Sequence, residues 1–179
     1  EPDPWNDPDL WPGNEPNAQP AADLPTWAPV DLSNILDGTW KPPQPAMLTR
    51  TDGVSLIYPG LTHSIHGESE SGKSLLGQWL TAQLLGQNLP VALLNYESAP
   101  GSVVDRLIMF GATKAQIAAG LVYVQPETGP TASAAEAHAW QNLTRRSFAL
   151  VVLDGVTAAI VASRLESRDN DQVTQWSRQ

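Results

Sequence analysis

The chain has 179 residues, 41% hydrophobic and 16% charged, which is enough for one domain with a substantial core but not comfortably for two. It has no cysteine, which excludes disulfides, thiolate metal centres and a cysteine nucleophile, and only three histidines (His63, His66, His138), which leaves little for a histidine-built metal site. Of the formal net charge of −9, nearly all lies in the first 40 residues, which hold eight acids and no Lys or Arg; from Lys41 onward 11 acids face 10 bases. No apolar run approaches the roughly 18 residues of a spanning helix and no signal peptide opens the chain, so a cytoplasmic protein without a membrane partner is expected. Glu1 is not an initiator methionine, so the chain reads as processed or as a piece of something longer.

Residues 1–29 read as a disordered acidic arm. Eleven of the 16 prolines lie at or before Pro45, and proline removes a backbone donor and restricts the residue before it, so neither helix nor internal strand propagates here. With few aliphatic side chains and repelling charges, burial does not offset chain entropy. Trp5, Trp11 and Trp27 leave a second reading open, in which the arm docks on a partner or on the body. Residues 30–46 read as a short helix ending at Gly38 and a stiff linker.

The body, residues 47–179, changes pattern. Strands are expected at 54–58, before Pro59-Gly60, and at 62–66, running into Gly67. Residues 74–85 carry Leu75, Leu76, Trp79, Leu80 and Leu84 at helical spacing. A continuous apolar run at 91–95 reads as a buried parallel strand. A helix at 101–110 stopping at Gly111, a helical turn at 115–119, a strand at 121–124 and a helix at 132–145 follow. The most hydrophobic strand, 148–153, ends in Asp154-Gly155. Residues 156–170 read as mostly loop, and 171–178 as a helix. Strands alternating with helices predict an α/β fold with a mainly parallel sheet.

Gly67-Glu68-Ser69-Glu70-Ser71-Gly72-Lys73-Ser74 satisfies G-x-x-x-x-G-K-[ST] at every fixed position. The two glycines permit backbone angles that turn N–H groups inward around phosphate oxygens, and the helix that follows, through Lys73, Ser74 and Leu75, aims its positive end there. Lys73 reaches the β- and γ-phosphates, and the Ser74 hydroxyl suits Mg²⁺. Glu68 and Glu70 are unusual neighbours for a polyanion and are expected to point to solvent. Asp154, at a strand end, falls at the sheet edge where α/β proteins gather ligands, and reads as a metal-holding acid or a helix N-cap. Glu97, just after 91–95, falls at the same edge as a candidate base that orients water, or as an N-cap or surface acid.

Other residues read more plainly. Arg106 fits a salt bridge or a packed stem better than a nucleotide contact. Tyr58 fits a half-buried strand position better than an adenine platform. His63 and His66 point to opposite faces, with His66 packing beneath the loop. Arg145-Arg146 fits a helix C-terminus better than a nucleic-acid patch.

Gly67 to Ser74, then a strand ending in Tyr96-Glu97, then Leu153-Asp154-Gly155 resembles the RecA-like P-loop ATPases, most closely the RepA-type hexameric helicase branch of phages and mobile elements. The resemblance covers about residues 54–161. It implies a RecA-like core with ATP and Mg²⁺ at the loop, Glu97 as catalytic base and Asp154 as the Walker B acid. It also implies action on DNA, including single-stranded DNA, in replication or repair, and a ring-like homo-oligomer. The family has a further strand after the Walker B strand, bearing a polar sensor; none is legible before Gln179, so a C-terminally truncated core is expected. In the family the region holding Arg164, Glu166, Arg168 and Asp169 can approach nucleic acid. A P-loop small-molecule kinase and a non-hydrolysing nucleotide-dependent adaptor are the alternative classes.

Overall fold

A computed structural model describes residues 29–166 and 170–176. Trp5, Trp11, Trp27, Arg168 and Asp169 lie outside the described residues, as does most of the arm. The chain divides into two compact units, Glu1–Ile65 and His66–Gln179.

In the first unit, a single helical turn, α1 (Ser33–Leu36), is followed by Gly38 with φ 76°. It is short because none of its residues is buried, and one turn held only by local hydrogen bonds does not repay the cost of nucleation. Two three-residue strands, β1 (Met47–Thr49) and β2 (Ser55–Ile57), pair antiparallel with Met47 opposite Ile57 and Thr49 opposite Ser55. The turn between them uses Gly53 at φ 83°. Tyr58 is half-buried just past β2 and stacks on His63, with ring centroids 6.0 Å apart. The His63 Nε2 accepts a hydrogen bond from the Tyr58 backbone N–H at 3.2 Å.

Residues 62–66 do not form the expected strand. A strand exists through its ladder, and among the described residues neither sheet includes this segment. Its one aliphatic side chain, Ile65, is 47% exposed. His66 is exposed rather than packed beneath the loop.

The second unit is a small α/β assembly. It begins with α2 (Lys73–Gly86), β3 (Val91–Asn95), α3 (Pro100–Met109), α4 (Lys114–Gly120) and β4 (Leu121–Val124). It continues with α5 (Ala134–Thr144), β5 (Leu150–Asp154), α6 (Val156–Ala162) and α7 (Asn170–Trp176). The sheet is β4-β3-β5 and all parallel. β3 is buried at every position, as its unbroken apolar run requires of a central parallel strand. The register sets Leu93 beside Tyr123 and Val152, Leu94 beside Val124 and Leu153, and Asn95 beside Asp154.

Side chains alternate across the sheet, so two faces separate. One packs on α2, which also packs on α3, and here the core sits, with Leu84, Leu85, Leu93, Val103 and Leu107 almost wholly buried. Gly77 matters to this contact: a β-carbon there would lie 3.3 Å from Val152 Cγ1, so its absence lets α2 approach β5 closely. The other face, with Leu94, Val124 and Leu153, borders a cavity of about 480 Å³ whose far wall includes Ala139, Trp140 and Leu143 of α5.

Helix ends follow local chemistry. Thr113 caps α4 in a reciprocal box with Gln116, and the Ser133 hydroxyl accepts from the Glu136 N–H at the start of α5. Gly111, at φ 102°, ends the α3 region as expected. The region after β5 departs from expectation, since residues 156–162 form α6 rather than loop. Its Val, Thr and Ile residues are poor local helix formers, but Ala159 and Ile160 are buried, and that packing outweighs propensity. Arg145 is the C-cap of α5, and Arg146 lies over the Phe148 ring, 5.3 Å from its centroid. Arg106, half-buried in the last turn of α3, makes no ion pair among the described residues, in line with a packed stem.

Candidate functional site

The loop from Gly67 to Gly72 runs into the N-terminus of α2. Glu70 and Gly72 both take left-handed backbone, φ 62° and 88°, of the kind that curls main-chain N–H groups into an anion-binding concavity. Gly72 is the N-cap of α2 and no side chain caps this end. Donors that α2 leaves unsatisfied at its first turn are thus not taken by a capping side chain. At Gly67 a β-carbon would fall 2.9 Å from Ser71 Oγ, so a side chain there would force that hydroxyl to move.

Lys73 folds back over this loop. Its Nζ donates to Gly67 O at 2.9 Å, Glu68 O at 2.5 Å and Ser71 Oγ at 3.3 Å. The cation therefore sits among loop carbonyls. Glu68, Ser69, Glu70, Ser71 and Leu75 are exposed, as expected of the two glutamates.

One helical step on, Ser74 Oγ donates to Asp154 Oδ1 at 2.8 Å. These residues are 80 positions apart and meet because α2 starts, and β5 ends, at the same edge of the sheet. Asp154 does not cap α6: its N-cap is Gly155, without a side-chain hydrogen bond, and both Asp154 oxygens are engaged elsewhere.

Glu97 stands two residues beyond β3 at this edge. The ladder continues one step past the strand, with Tyr96 N donating to Asp154 O at 3.0 Å. A β-carbon on Gly155 would come within 2.9 Å of Glu97 Cγ and 3.2 Å of Glu97 Cδ, so the exposed Glu97 side chain lies directly against the Asp154-Gly155 backbone. The N-cap of α3 is Ala99, with no side-chain hydrogen bond, so Glu97 does not serve as that cap. Lys73, Ser74, Asp154 and Glu97 are thereby gathered at one rim.

Residues to which the sequence reading gave no role complete the rim. Asn95, fully buried, accepts from Glu97 N at 3.0 Å and Ser98 N at 2.6 Å through Oδ1, while its Nδ2 lies 3.4 Å from Asp154 Oδ2. The available signal was a polar residue closing an otherwise apolar strand. Tyr123 Oη donates to Ser98 O at 2.9 Å and Gln125 Nε2 to the same oxygen at 3.4 Å, anchoring the turn from β4. Burial, and then the nearby Asp154 charge, push the Tyr123 phenol above its ordinary range, so the hydroxyl keeps the proton it donates. Gly155 adopts φ 94° with no room for a side chain. Gly155→Ala is therefore expected to lower unfolding free energy by about 1–3 kcal/mol, measurable by denaturant titration.

The oxygen chemistry fits a hard cation. A hydroxyl and a carboxylate converge, while among the described residues no group of three or more His, Cys, Asp or Glu forms a metal cluster. Mg²⁺ suits such a site because it takes one or two carboxylates together with substrate phosphates and water. No helix of the described residues is long and apolar enough to cross a membrane. Comparison with protein-family models, curated proteins and solved structures finds no match. The geometry alone carries the functional argument.

Proposed function

We propose that this chain is the nucleotide-binding part of a RecA-like P-loop ATPase, binding ATP with Mg²⁺ at Gly67, Glu68, Ser69, Glu70, Ser71, Gly72, Lys73, Ser74 and Leu75. The observation that carries the reading is the 2.8 Å hydrogen bond from Ser74 to Asp154, which joins the end of a phosphate-loop motif to an acid at a parallel strand's carboxyl end. In this reading the main chain of the loop holds phosphate oxygens and Lys73 sets its positive charge against them. Ser74 and Asp154 would hold Mg²⁺, which when bound neutralises phosphate charge. Glu97, at the same edge, accepts the proton of an attacking water and orients it. Action on single-stranded DNA in replication or repair, within a ring-like homo-oligomer, extends this proposal from the resemblance.

The test is equilibrium binding of a fluorescent ATP derivative, mant-ATP, together with phosphate release in the absence of any acceptor. Binding that Mg²⁺ strengthens, with Ser74→Ala reducing that strengthening by roughly tenfold, the scale of one charge-assisted contact, is the expected result. Phosphate transfer that appears only with an added small-molecule acceptor would replace the ATPase reading by a kinase. Tight binding without turnover in the complete protein would replace it by an adaptor.

A further inference from the structure

The mechanism above uses two carboxylates, Asp154 at the end of β5 and Glu97 in the turn after β3, and the fold must hold them at a fixed spacing. Asn95 hydrogen-bonds to both sides, the Glu97 N–H and the Asp154 carboxylate. It is 0% exposed in a strand whose other four residues are aliphatic, where a polar side chain is expected only with its hydrogen bonds made. Its two ends are spent differently. Oδ1 takes the N–H groups of Glu97 and Ser98, shaping the turn that presents Glu97, and Nδ2 faces Asp154 Oδ2. An amide is the side chain of this size that accepts at one end and donates at the other. Aspartate would set like charges side by side, and leucine would leave two N–H groups and a carboxylate oxygen without partners. The register is what makes the bridge possible, since Asn95 and Asp154 are direct neighbours across the β3–β5 ladder.

We infer that Asn95 is the positioning residue of this site, tying the turn that carries Glu97 to the carboxylate of Asp154 so that the water-orienting and cation-holding groups keep one spacing. The inference rests on the nucleotide-site reading for its chemical meaning, but half of it is testable without nucleotide.

The experiment compares wild type, Asn95→Ala and Asn95→Ser in the full chain by two readouts. The first is amide hydrogen exchange of Glu97 and Ser98 without nucleotide. The second is mant-ATP affinity with and without Mg²⁺. In Asn95→Ala both amides are expected to exchange about tenfold faster or more, having lost their acceptor. The gain in affinity that Mg²⁺ brings is expected to fall at least about threefold, while Mg²⁺-free affinity stays within about twofold of wild type. Asn95→Ser, whose hydroxyl still accepts from a nearby N–H but does not reach Asp154, guards against misfolding of the alanine variant. It is expected to recover part of the amide protection and none of the Mg²⁺ effect. Unchanged exchange in Asn95→Ala, or an unchanged Mg²⁺ effect in both variants, would overturn the inference. Absent binding in wild type, or binding that Lys73→Ala leaves unchanged, would instead defeat the nucleotide reading, and is told apart by the exchange data, which do not involve ATP.

Discussion

In a Lys73→Ala variant, ATP affinity is expected to fall by about 10- to 100-fold and phosphate release to become undetectable. The ammonium has three donors, and all three have partners within the loop: Gly67 O, Glu68 O and Ser71 Oγ. Lys73 thus both shapes the loop and sets a positive charge inside it. Hydrogen bonds to charged groups contribute about 1.5–3 kcal/mol, which corresponds to the stated loss in affinity. The effect on hydrolysis is larger, because phosphoryl transfer depends on charge stabilisation at the oxygens that Lys73 would face; losing one such donor typically costs about 10²–10³ in rate. Any cost to the fold falls on the hydrogen bonds that half-buried Lys73 makes to the exposed loop from 67 to 71. Mant-ATP titration alongside denaturant unfolding separates the two effects. A variant that hydrolyses ATP as well as wild type would end the ATPase reading.

The second large effect belongs to Glu97→Gln. The substitution keeps the side chain's shape against Gly155 and its main-chain hydrogen bond to Asn95, and removes only the carboxylate's capacity to take a proton. Turnover is expected to drop by about 10²–10⁴-fold, the usual contribution of a general base. ATP affinity should change by less than about threefold, because Glu97 is assigned to water rather than to the phosphates. A fall in kcat at near-constant KM is the signature of a group acting in the transition state alone. If KM rises instead and kcat holds, Glu97 is a binding residue and the assignment of the base fails.

Much of the second unit was legible because its elements are decided by burial that sequence displays directly. The run from Val91 to Asn95 is a strand residue for residue, and 121–124 likewise, since both are short apolar segments bounded by turns. The helix after Lys73 was readable from its apolar spacing and its motif. Two expectations failed where tertiary context decides. The strand expected at 62–66, running into Gly67, is absent, because a strand needs a ladder as well as a pattern. The expectation of mostly loop over 156–170 fails at 156–162, where the burial of Ala159 and Ile160 makes a helix. β1 also went unread: three residues carry too little pattern without knowledge of the partner across the Gly53 turn.

The site divides along the same line. Lys73 and Ser74 are fixed by a contiguous motif, and Asp154 by the end of a hydrophobic strand, so their meeting could be anticipated. Gly77, Asn95 and Gly155 could not, because their roles arise from distances between elements far apart in sequence. Gly77 lets α2 approach Val152, Gly155 leaves space for Glu97, and Asn95 spans two strands.

The alignment of β3 with β5 has a consequence for how errors in folding would appear. Val152 packs toward Gly77 on the helix-covered face, and Asp154, two residues later, shares that face. A slip of one residue between these strands would turn both to the opposite side, carrying Asp154 away from Ser74 while costing the helix its apolar seat. Mispaired molecules would therefore lose the Ser74–Asp154 contact and compactness together. The hydrophobic contact thus checks the register of the polar one, so a folded population of this unit should contain few molecules that are well packed yet lack the Ser74–Asp154 hydrogen bond.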